Sequence, residues 1–189
     1  MEPSELLGHL VRCLEKQGIP YFITGAVASI AYGEPRLTND IDVVTKLKEE
    51  DIAGLKGCFP EDEYYLDPDS VLKAIERQHQ FNIIHPSSGL KVDVMISDGG
   101  AFDDSRFARI RRLRPLEDTE ANFASPEDVI IKKMEYFKEG SSDKHLRDIM
   151  GMLKISGELI DLGYITSWAK RLDLEGIWKT VQDRLSSSA

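Results

Sequence analysis

Apolar residues change their spacing twice within the first 32 positions. Leu6, Leu7, Leu10, Val11 and Leu14 recur every three or four residues, which predicts an amphipathic helix over 4–17. "GIP" ends it, and the uninterrupted "YFIT" reads as a short buried strand running into Gly25. "AVASIAYG" predicts a short helix closed by Gly33, and the polar loop "EPRLTN" leads into "DIDVVT". That last segment is β-branched and alternates, so it predicts a strand with Asp40 and Asp42 on one face and Ile41 and Val43 on the other.

Helices are expected near 48–57 and 68–78. The runs "FNIIH" and "LKVDVMIS", separated by "PSSG", read as a β-hairpin. In its second arm Lys91, Asp93 and Met95 share one face and Val92 and Val94 the other, which makes Asp93 an acid inside an otherwise core-like strand. The last third is helical in period. "SPEDVIIKKMEYFKEG" opens with a serine cap, a proline and acids in the first turn, and closes on a glycine. "SSDKHLRDIMGMLKISG" puts Leu146, Ile149, Met150 and Leu153 on one stripe. Helices near 164–172 and 175–185 follow, with Trp168 and Trp178 expected to pack them and the "SSSA" tail expected to fray. The expected class is α/β: a core of residues 1–125, made of a short mixed sheet with flanking helices, and a helical region, 126–189, packed on that core.

Composition narrows this picture. An apolar content of 41% and a charged content of 30% are ordinary globular values, and 189 residues can bury a substantial core. No apolar run reaches 18 residues, and the N-terminus has no secretory pattern, so a soluble, cytoplasmic protein is expected. Cys13 and Cys58 lack metal-ligand spacing and read as reduced residues in or near the core. His9, His79, His85 and His145 are dispersed and read as surface or packing residues. A net charge of −9 argues against strong non-specific binding to a nucleic-acid backbone. The local exception is "SRFARIRRLRP", where Arg106, Arg109, Arg111, Arg112 and Arg114 read either as a solvated helix face and strand edge or as an RNA-facing patch.

The chemistry lies in the acids. Two carboxylates at i and i+2 on a strand face the same way and repel unless a cation sits between them. Hard divalent cations such as magnesium select carboxylate oxygens and keep positions open for water and substrate phosphates. Asp93, on a later strand expected in the same sheet, adds a third carboxylate, and three such acids can hold two metals. Gly25, at a strand-to-helix junction, lets backbone N–H groups approach an anion, with Thr24 and Ser29 as hydroxyl donors. An Asp-x-Asp also occurs in phosphatases of the haloacid dehalogenase type. There the acids follow a hydrophobic strand, whereas here the strand contains them.

In the order strand, glycine, short helix, Arg/Thr loop, Asp-x-Asp strand and later Asp, the chain resembles the minimal nucleotidyltransferases of the DNA polymerase β superfamily. It resembles in particular the bacterial and archaeal group that includes AbiEii-like toxins and related uncharacterised members. The matching segments are "TGAVASIAYGEPRLTNDIDVV", "KVDVMI", "SPEDVIIKKM" and "DKHLRDIMGML", spanning about residues 19–155. The resemblance implies a polymerase β-type core with Asp40, Asp42 and Asp93 as catalytic metal ligands for two magnesium ions. It implies an NTP, such as ATP, as substrate, with Thr24, Gly25, Ser29, Arg36, Thr38 and Lys133 toward the nucleotide. Asp148 matches an acid that orients the second helix or that lysine. Arg36 read from its position alone serves equally as an ion-pair clamp of the loop to Asp40. The chain departs from the family at Thr24-Gly25, where a Gly-Gly or Gly-Ser pair is usual, and at Lys144-His145, where Lys-Asp is frequent. The implied activity is transfer of an NMP to an unidentified hydroxyl of tRNA, protein or a small molecule, including toxin-type action with a small antitoxin partner. The alternative is a non-catalytic nucleotide-binding or toxin–antitoxin module on the same fold.

Overall fold

A computed structural model describes residues 1–116 and 119–187, and the final two residues of the "SSSA" tail lie outside the described residues. The chain divides into two compact units: Met1–Val27 with Leu37–Ala124, and Ala28–Arg36 with Ser125–Ala189.

The first unit is built on a six-stranded mixed sheet. Its strands are β1 (Tyr21–Thr24), β2 (Asp40–Thr45), β3 (Gln80–His85), β4 (Leu90–Ile96), β5 (Arg111–Leu116) and β6 (Thr119–Phe123), in the order β3-β4-β2-β1-β6-β5. β2 is antiparallel to β1 and parallel to β4, and β3 and β4 form the expected hairpin. Alternation decides the faces. Ile41, Val43, Phe81, Ile83, Val92 and Val94 point one way and are buried. The opposite face carries Asp40 and Asp42 on β2, Lys91 and Asp93 on β4 and Asn82 on β3, and the register places Asp42 directly across from Asp93.

Three helices with clear local signals belong to this unit. α1 (Pro3–Lys16) buries Leu6, Leu7, Leu10, Val11 and Leu14, the stripe read from its spacing. Glu2 and Glu5 close its N-terminus as a capping box, with the Glu2 N–H donating to Glu5 Oε2 at 2.6 Å. α3 (Ile52–Cys58) and α4 (Pro68–Arg77) follow, and Asp67 caps α4 by accepting from the Asp69 and Ser70 N–H groups. Cys13 and Cys58 are joined by a disulfide between α1 and α3, which corrects the expectation of reduced thiols. Sequence spacing could not reveal the pairing, because it depends on two helices from distant segments bringing their Cα atoms to 6.0 Å. His9 and His85 are packing residues, as read: His9 stacks on Tyr64, and His85, beside the same ring, bonds Ser88 Oγ at 2.7 Å.

The arginine-rich segment forms α5 (Ala101–Ala108) and runs into β5. Arg106 is only 4% exposed, because it packs over the Phe22 ring and pairs with Asp103 at 2.8 Å. Arg112 is held by Glu15 at 2.5 Å and Glu120 at 3.6 Å. Arg106 is therefore a packing residue, while Arg111, Arg112 and Arg114 are exposed on the edge strand β5.

The second unit is helical. It holds α6 (Pro126–Gly140), α7 (Asp143–Ser156), α8 (Leu162–Arg171), α9 (Glu175–Ser187) and the later part of α2 (Gly25–Tyr32), whose first three residues belong to the sheet unit. Ser125 caps α6 through the Asp128 N–H, with Pro126 in the first turn, as the motif predicts. The left-handed residue that ends α6 is Ser141, one position beyond the expected glycine. Trp168 and Trp178 are buried, and the Trp178 indole donates to Thr166 Oγ1 at 3.0 Å. Among the described residues no helix is long and apolar enough to cross a membrane.

Candidate active site

Asp40 opens β2 at the sheet's rim, where its side chain is 55% exposed. Two residues on, Asp42 turns toward the β1–α2 junction. There Gly25 adopts φ +62°, a left-handed conformation in which a Cβ would overlap the Asp42 carboxylate. The absent side chain lets the carboxylate lie against the turn, and Asp42 Oδ2 accepts the Ala26 N–H at 3.3 Å. Thr24 itself lies in β1, buried and paired with Asp42, so the departure from the family's glycine pair falls on extended backbone. Thr38 is in the loop before β2, its hydroxyl donating to the Asp40 carbonyl at 3.3 Å.

Asp93 has both oxygens engaged. Asn82 Nδ2 donates to Oδ1 at 3.0 Å, and the Lys91 ammonium lies 3.0 Å from Oδ2. The same ammonium is 3.7 Å from Asp40 Oδ1. Its pKa is raised, chiefly by the hydrogen bond to Asp93, with Asp40 and Asp42 adding to the effect. Strand parity places Lys91 on the Asp93 face, but its closeness to Asp93 and Asp40, and the bond from Asn82, depend on contacts that spacing alone does not give.

Three carboxylates from two adjacent parallel strands, backed by no histidine or thiolate, form a donor set suited to a hard divalent cation. Among the described residues no group of three such side chains stands close enough together to hold an ion. One ammonium lies near both Asp40 and Asp93, and Asp42 is turned to the Ala26 N–H. The residues fit the metal in kind and in register, with Lys91 standing in as the local cation.

The helical unit gathers the other expected residues around a second acid. Asp148, on α7, accepts a bidentate pair from Arg36, with Nε–Oδ1 and Nη2–Oδ2 both 3.0 Å, and a hydrogen bond from Lys133 on α6 at 2.6 Å. Arg36 therefore clamps Asp148 rather than Asp40. Burial pushes the Asp148 carboxyl up, but the hydrogen bonds from Arg36 and Lys133 outweigh it, so the group is held below its ordinary value. His145 is pushed down by burial and by the Lys133 charge. Lys132, the residue before Lys133, pairs with Glu135 at 2.6 Å. Ser29, Arg36, Lys144, Arg147 and Asp148 line a cavity of about 300 Å³ whose cations outnumber its acids.

This cluster carries a stability prediction. Lys133 is 5% exposed at its side chain, so Asp148→Ala strands a buried ammonium and should cost about 3–5 kcal/mol, read by urea denaturation. A Lys133→Met, Asp148→Ala double variant should recover much of that loss. The sign of the pH dependence follows from the depressed carboxyl. Its contribution is complete above the unfolded carboxylate range, about pH 4, and is lost as pH falls through the lower folded value.

No family model matches the chain, and no curated protein matches its sequence. Solved structures do match. The antibiotic-resistance factor ANT(2'')-Ia aligns with a TM-score of 0.59 at 13% identity, over 100% of this chain and 98% of that one. The lincosamide antibiotic adenylyltransferase LnuA, in its lincomycin-bound structure, aligns with a TM-score of 0.54 at 14% identity, over 82% and 98%. JHP933 from Helicobacter pylori aligns with a TM-score of 0.55 at 13% identity, over 98% and 92%. The chain has the nucleotidyltransferase fold, a mixed sheet followed by C-terminal helices.

Proposed function

We propose that the protein is a magnesium-dependent nucleotidyltransferase that moves an NMP, with AMP as the first candidate, from an NTP to the hydroxyl of a small molecule. The observation that carries this reading is the register of Asp42 on Asp93, with Asp40 on the same face, beside a glycine turn in a nucleotidyltransferase fold. The small acceptor is favoured over RNA because Arg106 is buried in internal contacts and the net charge is −9. It is favoured also because the ANT(2'')-Ia structure holds adenylyl-2''-tobramycin and LnuA is a lincosamide adenylyltransferase.

In this reading Asp40, Asp42 and Asp93 would hold the magnesium, which when bound would supply charge neutralisation for the phosphate oxygens and acidify the attacking hydroxyl. The acceptor oxygen bonds to the α-phosphorus, the bond to pyrophosphate breaks in line, and Asp93 takes the hydroxyl proton. Thr24, Gly25 and the Ala26 N–H face the phosphates at the β1–α2 turn. The resemblance alone carries Ser29, Arg36 and Lys133 as nucleotide-binding residues, and within the helical unit Asp148 keeps both cations oriented.

The test is incubation with each α-labelled NTP, magnesium and a panel of aminoglycosides and lincosamides, with cell extract as a parallel acceptor source. Label on a small molecule, with pyrophosphate released in equal amount, is the expected outcome. Label confined to RNA or protein moves the assignment to a macromolecular acceptor. An absence of transfer, with Mg–NTP still bound, favours the non-catalytic module.

A further inference from the structure

The ammonium of Lys91 lies among the carboxylates proposed to hold the metal. It lies 3.0 Å from Asp93 Oδ2 and 3.7 Å from Asp40 Oδ1, two of the three carboxylates assigned to the metal. Magnesium requires oxygens near 2 Å in an octahedral arrangement, which leaves no room for an ammonium in the same gap. Without a cation, acids on one face of adjacent strands repel one another, so some positive charge is needed there whenever metal is absent. Lys91 supplies it from within the same strand, and its side chain is 33% exposed on a flexible four-carbon stem, so it has a way out. Asn82 is differently placed. Its amide reaches the other Asp93 oxygen and can keep that bond whether or not Lys91 leaves.

We propose that Lys91 is the counter-ion of the metal-free site and is displaced when a divalent cation binds. The assignment rests on the metal reading of Asp40, Asp42 and Asp93 given above. Its consequence is that metal affinity is set by competition. The carboxylates release their own cation before taking another, so loading is weak for the metal alone and gains when metal arrives with nucleotide phosphates.

Mn²⁺, titrated by the loss of its free-ion paramagnetic resonance signal, tests this in wild type, Lys91→Met and Asp42→Asn. Lys91→Met should bind Mn²⁺ about 10-fold more tightly than wild type, equivalent to about 1.4 kcal/mol. It should melt below wild type in EDTA and close that gap when Mn²⁺ is added. Asp42→Asn should lose the binding. Equal or weaker Mn²⁺ affinity in Lys91→Met, with wild-type binding still abolished by Asp42→Asn, overturns the counter-ion role and leaves the metal reading standing. A melting deficit unchanged by Mn²⁺ would also overturn it, since it marks a purely structural lysine. If neither wild type nor Lys91→Met takes up Mn²⁺, the metal reading fails and the Lys91 assignment falls with it.

Discussion

Asp42→Asn is expected to abolish magnesium-dependent nucleotidyl transfer, by about 10³-fold or more, in a protein that remains folded. Asp42 is the one acid that both faces Asp93 across the β2–β4 pair and touches the glycine turn through the Ala26 N–H. An asparagine oxygen can still accept from Ala26, so the local backbone keeps its partner. What goes is one negative charge on a metal. Charge stabilisation by a metal is worth several kcal/mol, and each 1.36 kcal/mol is tenfold in rate. Stability should hardly change, because removing one of three like charges relieves repulsion, and the melting temperature should stay within about 3 °C. Label transfer and a thermal melt on one preparation separate the two effects. Near-normal transfer by Asp42→Asn would mean that Asp42 is not a metal ligand.

Gly25→Ala should lose both activity and stability. At φ +62° a side chain costs roughly 1–2 kcal/mol in backbone energy alone, and here the new Cβ also overlaps the Asp42 carboxylate. The turn must open or Asp42 must leave its place, and either outcome disturbs the acid. Gly18 supplies the control. It has φ +67° but open space around a Cβ, so Gly18→Ala should show the backbone cost without the loss of transfer. A melting temperature several degrees lower in both variants, with transfer lost only in Gly25→Ala, is the expected pattern.

Residues whose roles follow from local spacing were readable from sequence. The α1 stripe, the Ser125 cap with Pro126, and the shared face of Asp40 and Asp42 are consequences of helical or strand period within a few positions. The β3–β4 hairpin is equally local, since one turn fixes its register. The partnership of Asp42 with Asp93 was expected from the acids' positions, and the parallel β2–β4 pairing supplies the register that a sequence lacks. Contacts made at a distance were not readable. Cys13 meets Cys58, Arg36 meets Asp148 across 112 positions, and Arg106 turns inward onto Phe22, each through packing that no window of sequence contains. Lys91 was in plain view on the site's face. Its pairing with Asp40 and Asp93 is not legible from sequence, because a lysine on a half-exposed strand usually points to solvent and only the distances place the ammonium beside both acids.

The proposed function requires the three carboxylates on β2 and β4 to form one metal site for a nucleotide. Anomalous diffraction from crystals grown with Mn²⁺ and a non-hydrolysable ATP analogue tests it most directly. At least one manganese peak is expected beside Asp40, Asp42 and Asp93, at oxygen distances of about 2.1 Å, with the Lys91 ammonium withdrawn. Nucleotide bound with no manganese at these acids, or manganese bound only elsewhere while Lys91 still pairs with Asp40 and Asp93, would contradict it.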